Sequence, residues 1–195
     1  MAKNQFNRDF DEVKRDGMAL QHVKEQSPQI CMEAVRRNGM ALQFVEEQTA
    51  EICMTAVQQR GYALRYVKEQ DPEICMEAVR QDGNALGYVQ EQSPEICMEA
   101  VRQKGEALAY VKEQTAEICM EAVRQKGEAL AFVKEQTSEI CIAAVRQNSN
   151  ALKYVQPQFR DEVREAGREV NPWDAAIEEA LEAAEIPEPE LEMEI

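Results

Sequence analysis

Histidine occurs once in the 195 residues, as His22, so any His-dependent nucleophile, base or metal cluster would have to be built on one side chain. It stands in a slot that elsewhere holds Phe44, Tyr66, Tyr88, Tyr110, Phe132 and Tyr154, and packing is its expected role. Glycine is scarce, at 8 residues, and each glycine is isolated, so no loop is built to cradle a phosphate. Long apolar runs are missing, and nothing approaches the roughly 20 residues of a membrane span. The opening MAKNQFNRDFDEVKRDG has no apolar h-region of the secretory kind, and a cytoplasmic location is expected. The 6 cysteines lack the close pairing of a metal site.

Positive charge is also short, with 22 Lys and Arg against 37 Asp and Glu and a net charge of −15. That deficit is uneven. Residues 161–195 hold 2 basic and 13 acidic residues, a net −11, which leaves −4 for residues 1–160. A molecule with this balance repels phosphate at long range, which disfavours nucleic acid as its partner.

What is present is repetition. EICMEAVRQKGEALAYVKEQ fills residues 95–114 and returns at 117–136 with Phe132 in the place of Tyr110. Cys31, Cys53, Cys75, Cys97, Cys119 and Cys141 fall 22 residues apart. Gly17, Gly39, Gly61, Gly83, Gly105 and Gly127 keep the same interval, with Ser149 in the seventh place. A period held this long marks a stacked repeat array. Each unit carries helix punctuation. Ser27, Thr49, Asp71, Ser93, Thr115 and Thr137 suit N-caps, and Pro28, Pro72 and Pro94 follow at the first helical position. The glycine suits a left-handed C-terminal residue, with Asn148 or Asn150 supplying it where Ser149 intervenes. A second, shorter helix carries A-L-x-[YF]-V.

In the unit beginning at Ser93, helical spacing places Ile96, Cys97, Ala100 and Val101 on one buried face. Glu99 and Arg102 lie opposite, spaced for a weak ion pair. Ala107, Leu108 and Val111 form the buried face of the second helix, with Tyr110 at its edge. Helices this short cannot stand alone, so each layer is the template for the next. The fold expected is all-α: an α-solenoid of about seven stacked 22-residue two-helix repeats with a C-terminal capping helix. Residues 1–158 would form the array, 159–185 the capping helices and 186–195 an acidic flexible tail. FRDEVREAG (159–167) reads as a shortened echo of a first helix. Successive cysteines would lie on layers on the order of 8–10 Å apart. That is too far for a shared metal or an unstrained disulfide. A small buried hydrophobe used once per layer is the expected reading, with no cofactor, no metal and no catalysis.

The cores AV-x-x-x-G-x-AL-x-[YF]-V, such as Ala78-Val79 through Tyr88-Val89, resemble a family of tandem helical repeats of unknown function that occurs in bacteria and large DNA viruses. The resemblance spans about residues 10–155 and implies a helical array without a catalytic motif.

One aromatic per unit beside Arg80, Arg102, Arg124 and Arg146 would suit a base-per-repeat RNA reader. Arg80, Arg102 and Arg124, however, each follow a glutamate by three residues, Arg146 follows Ala143, and all four sit on a different helix from the aromatics, so packing between repeats is the expected role. Units differ most at the residue before the glycine, the residue after it, and the slot between Leu and the aromatic. These positions are expected to face solvent. Among them Met40, Tyr62 and Arg65 combine soft, aromatic and guanidinium side chains in the manner of a partner surface.

The expected function is that of a non-enzymatic scaffold or adaptor that binds another protein through the solenoid. The alternative is an acidic inhibitor or immunity-type protein that occupies the nucleic-acid-binding surface of a target enzyme. Its acidic surface would be Glu178, Glu179, Glu182 and Glu185, followed by Glu188, Glu190, Glu192 and Glu194. Leu191, Met193 and Ile195 alternate with glutamates in a spacing that suits an extended docking peptide. Incompletely capped ends also leave self-association open.

Overall fold

The computed structural model of the chain describes residues 2–170. Six successive layers, from Pro28 to Tyr154, each pair a ten-residue α-helix with a six-residue 3-10 helix. The α-helices are α1 (Ala2–Arg15), α2 (Pro28–Arg37), α3 (Ala50–Gln59) and α4 (Pro72–Gln81). They continue as α5 (Pro94–Gln103), α6 (Ala116–Gln125), α7 (Ser138–Gln147) and α8 (Arg160–Val170). Between them lie 3-10 helices η1 (Gly17–His22), η2 (Gly39–Phe44), η3 (Gly61–Tyr66) and η4 (Gly83–Tyr88). The series runs on through η5 (Gly105–Tyr110), η6 (Gly127–Phe132), η7 (Ser149–Tyr154) and the single turn η8 (Pro157–Phe159). Each α-helix packs on the next α-helix and each 3-10 helix on the next 3-10 helix, so the chain is an α-solenoid. Among the described residues there is no strand, and no helix is long and apolar enough to cross a membrane.

The N-cap reading holds in detail. Ser27, Thr49, Ser93, Thr115 and Thr137 each accept a bond from the N–H of the isoleucine three residues on, and Asp71 accepts one from the Glu73 N–H. The core repeats as written. Ile, Cys, Ala and Val of each α-helix, Ala and Leu of each second helix and the Val that caps it are buried, from Ile30 to Val155. The first layer differs from the rest. α1 runs to 14 residues, buries Val13, and stacks Phe6 on Phe10 with ring centres 5.9 Å apart.

The expected second, shorter helix is present, but the expected left-handed helix end at the glycine is corrected. The second helix is 3-10 throughout, and the α-helix ends two residues before the glycine, with a single C-cap residue between them. Its last cap, such as Asn38 or Lys104, is in extended backbone, and among the described residues none has positive φ, glycines included. Neither Asn148 nor Asn150 is left-handed. The glycines answer a different need, the close approach of the following layer. A Cβ on Gly83 would stand 2.5 Å from the Ala100 carbonyl oxygen, and one on Gly105 would stand 2.6 Å from that of Ala122. Ser149 is exposed, and at that position the chain carries a side chain.

The expected Glu99–Arg102 pairing within one helix is also corrected, because the arginines reach across layers. Arg80 Nε lies 3.9 Å from Glu99 Oε1, and Arg102 Nε lies 3.5 Å from Glu121 Oε1. In the same register, 19 residues on from Arg124, the chain has Ala143 in place of a glutamate. Ala143→Glu is expected to extend the row and raise stability by about 0.5 kcal/mol, the scale of an exposed ion pair, in a thermal melt at low salt. The gain should fade at high salt.

A candidate protein-binding face

Before any surface can be presented, the layers must be held in register, and a glutamine does this. Gln26, Gln48, Gln70, Gln92, Gln114 and Gln136 close successive units. In each case Nε2 donates to the carbonyl of the next layer's aromatic residue at 2.8–2.9 Å. The N–H two residues beyond that aromatic donates back to Oε1 at 3.0–3.1 Å. A carboxamide has the shape and polarity of a peptide unit, so it satisfies both backbone groups as a neighbouring strand would. The same oxygen accepts a third bond from the cysteine five residues on, with Sγ 3.3–3.6 Å away. The thiols are therefore more than small hydrophobes, since each donor helps aim the clamp.

Burial pushes all six thiols above the ordinary cysteine range. Glu46 adds to the effect at Cys31, and Cys141, where Glu162 adds to it, is raised to about 11. All six are free. Among the described residues, no group of three His, Cys, Asp or Glu could hold a metal ion.

The face that the clamp steadies is the row of 3-10 helices. Its outermost position is the slot between Leu and the aromatic. Gln21, Gln43, Arg65, Gly87, Ala109, Ala131 and Lys153 are all exposed there, as expected. The residue after the glycine is half-buried in every layer but the last, where Asn150 is exposed. The residue before it also has local work in four layers. Asp16, Asn38, Asp82 and Asn148 each accept a bond from the N–H two residues on, capping the 3-10 helix. Arg60, Lys104 and Lys126 provide no such cap. Lys126 instead reaches Glu106 at 2.6 Å, and its ammonium holds the Glu106 carboxyl below the usual carboxylate range.

A long slot residue lies over the aromatic of its own layer, and Arg65 and Gly87 also meet the aromatic of the next, so the slots decide which rings are covered. Arg65 lies over Tyr66 at 5.1 Å and over Tyr88 at 5.6 Å, and Tyr62 meets Tyr88 edge-on at 5.8 Å. Tyr62 and Arg65 are thus brought together about Tyr88, with Met40 in the place equivalent to Tyr62 one layer earlier. At the far end Lys153 lies over Tyr154 at 4.8 Å. Between them the slots are small. The Tyr110 ring lies so close to Gly87 that a Cβ there would meet it at 3.0 Å, and Ala109 precedes Phe132 in the same register. With nothing long to cover them, Tyr110 is 46% exposed and Phe132 40%, the two large apolar side chains that stand out on the described surface.

These two aromatics were not among the residues singled out from the sequence. The available signal was the length of the slot residues: Arg65 covers the rings of its own and the next layer and Lys153 the ring of its own, whereas Gly87 and Ala109 are too short to cover Tyr110 and Phe132. His22, expected to pack like the aromatics, is instead exposed on η1. The eight glutamates from Glu178 to Glu194, and Leu191, Met193 and Ile195, lie outside the described residues, as does any capping segment beyond residue 170.

No curated protein and no solved structure matches the chain. A family described as a domain of unknown function, DUF4116, matches at residues 27–70, 49–93, 71–115 and 116–160. Each match spans two successive layers, and together they cover the array from the Ser27 cap to Arg160, well over half of the sequence. The chain belongs to this family of tandem repeats.

Proposed function

We propose that the chain is a non-enzymatic scaffold or adaptor that binds another protein through its row of 3-10 helices. The observation that carries this reading is the pair of uncovered rings on this face, Tyr110 standing over Gly87 and Phe132 in the same register with Ala109. A protein surface seldom leaves neighbouring aromatics open without use, and such rings dominate binding energy where they are buried by a partner. The contact surface in this reading runs from Met40, Tyr62 and Arg65 to Tyr110 and Phe132. Repeat arrays bind in this manner, along an extended face and without a pocket.

Gly87→Arg tests the reading, because it copies the Arg65 arrangement one layer along and covers Tyr110. A photo-crosslinking residue at position 132 in the otherwise native chain should label a host protein in lysate. Adding Gly87→Arg should reduce that labelling at least tenfold while the melting temperature is kept. Undiminished labelling, or equal labelling from a probe placed at exposed Glu95 on α5, would remove this face from consideration.

The division of charge favours a second reading. With −11 in residues 161–195, the chain would act as an acidic inhibitor that covers the nucleic-acid-binding surface of an enzyme. A 1–185 truncation that also neutralises Glu178, Glu179, Glu182 and Glu185 should then release the target in a salt-dependent manner. Inhibition that survives both changes would end that reading.

A further inference from the structure

Two sulfur ladders run side by side through the array. Cys31, Cys53, Cys75, Cys97 and Cys119 are each followed directly by a methionine, Met32, Met54, Met76, Met98 and Met120. Neighbours in sequence, they occupy different surroundings. The thiols are at most 4% exposed and donate to the clamp glutamines. The thioethers are half-buried on the α-helical face, and three of them border shallow grooves between helices. Met54 and Met76 line one such groove with Gln58, Glu77 and Arg80, and Met32 lines another with Phe10 and Arg36.

We propose that this thioether stripe is an oxidation site of the chain: Met32, Met54, Met76, Met98 and Met120 take oxygen from a hydroperoxide while the adjacent cysteines stay reduced. In the step, a sulfur lone pair attacks one peroxide oxygen, an S–O bond forms and the O–O bond breaks. The proton on the attacked oxygen passes to the departing hydroxide. Methionine becomes its sulfoxide, losing two electrons, and hydrogen peroxide is reduced to water. A thiol must first become a thiolate to react in this way, and burial opposes that. A thioether needs no deprotonation, so it reacts wherever the oxidant reaches it.

The sulfoxide carries a strong dipole to the side of each methionine that packs against the core, so oxidation loosens the stacking of one α-helix on the next. The chain supplies its own control. In α7 the same position is Ile142, half-buried in the equivalent place with no sulfur to oxidise. An aliphatic side chain is therefore tolerated in this slot.

The experiment treats the folded full-length chain with hydrogen peroxide and follows three quantities together. These are oxygen uptake at each methionine by peptide mass mapping, free thiols counted after denaturation, and the melting temperature. The five stripe methionines should gain one oxygen each while six thiols are still recovered, and the melting temperature should fall by several degrees. A chain with all five replaced by leucine, treated alike, should keep its melting temperature. Loss of thiols at the pace of methionine oxidation would overturn the proposal. So would a stripe that resists oxidation, or an equal fall in the leucine variant.

Discussion

Replacing Gly83 or Gly105 with alanine is expected to lower stability by on the order of 3 kcal/mol, the upper range for overpacking a tight contact. Ordinary bookkeeping predicts the opposite sign, since alanine at an unstrained φ usually stabilises by restricting the unfolded chain. Backbone conformation gives no reason for the glycine here, because no described glycine has positive φ. The obstacle is the next layer. The new Cβ would press on a backbone carbonyl at 2.5–2.6 Å, and that oxygen belongs to a helix which cannot turn aside without leaving its own seam. Denaturant unfolding of Gly83→Ala beside Gly87→Ala separates the effects. At Gly87 the opposing atoms belong to the Tyr110 ring, an exposed side chain able to shift, and the change should cost under about 1 kcal/mol. If both variants lost the same stability, close approach of layers would not be what the repeated glycine serves.

Gln70→Leu should be comparably damaging, at about 3 kcal/mol. It strands the Tyr88 carbonyl, the Gln90 N–H and the Cys75 thiol together, and a buried unpaired polar group costs about 1–3 kcal/mol. Partial solvent access to these groups keeps the total below the sum of three full penalties. Gln70→Glu sharpens the test. An ionised carboxylate cannot donate to the Tyr88 carbonyl, whereas the protonated acid can. Folding therefore raises the pKa of that new group above its unfolded value. Its contribution to stability is present at low pH and is lost as pH rises through the folded pKa. The gap between Gln70→Glu and the native chain, measured by urea denaturation, should narrow as pH falls toward 4 and widen toward 7. A gap independent of pH would show that Nε2 is not the donor that matters.

Much of the architecture could be read from spacing. The interval from Cys31 to Cys141 defines the layers, the Ser, Thr and Asp caps mark each α-helix start, and the alternation of apolar residues marks the buried faces. These are local or strictly periodic features, and they transfer directly to the fold. What escaped depends on distances between layers. Gly83 looks like a helix terminator until Ala100 is brought against it. Arg102 and Glu99 look like partners until Glu121 arrives from the following helix. Gln70 sits beside exposed Glu69 and reads as another solvated residue. A clue was present, because position 68 drifts among Lys, Glu and Gln across the units while position 70 stays Gln in all six. The uncovered rings were hidden for a similar reason: whether Tyr110 is open is decided by Gly87, 23 residues earlier, and no helical or strand period relates the two.

The glutamine clamp also gives the array a direction. Each carboxamide reaches toward the layer that follows in the chain, so a finished layer always presents a prepared, hydrogen-bonding edge to the one not yet made. A ribosome releases these layers in the same order. As Thr137 emerges, Gln136 is already in hand, waiting for the Tyr154 carbonyl and the Gln156 N–H to come into reach. Growth of the solenoid can thus proceed by simple addition at one end, like masonry laid course upon course. No completed layer needs to reopen to admit its successor.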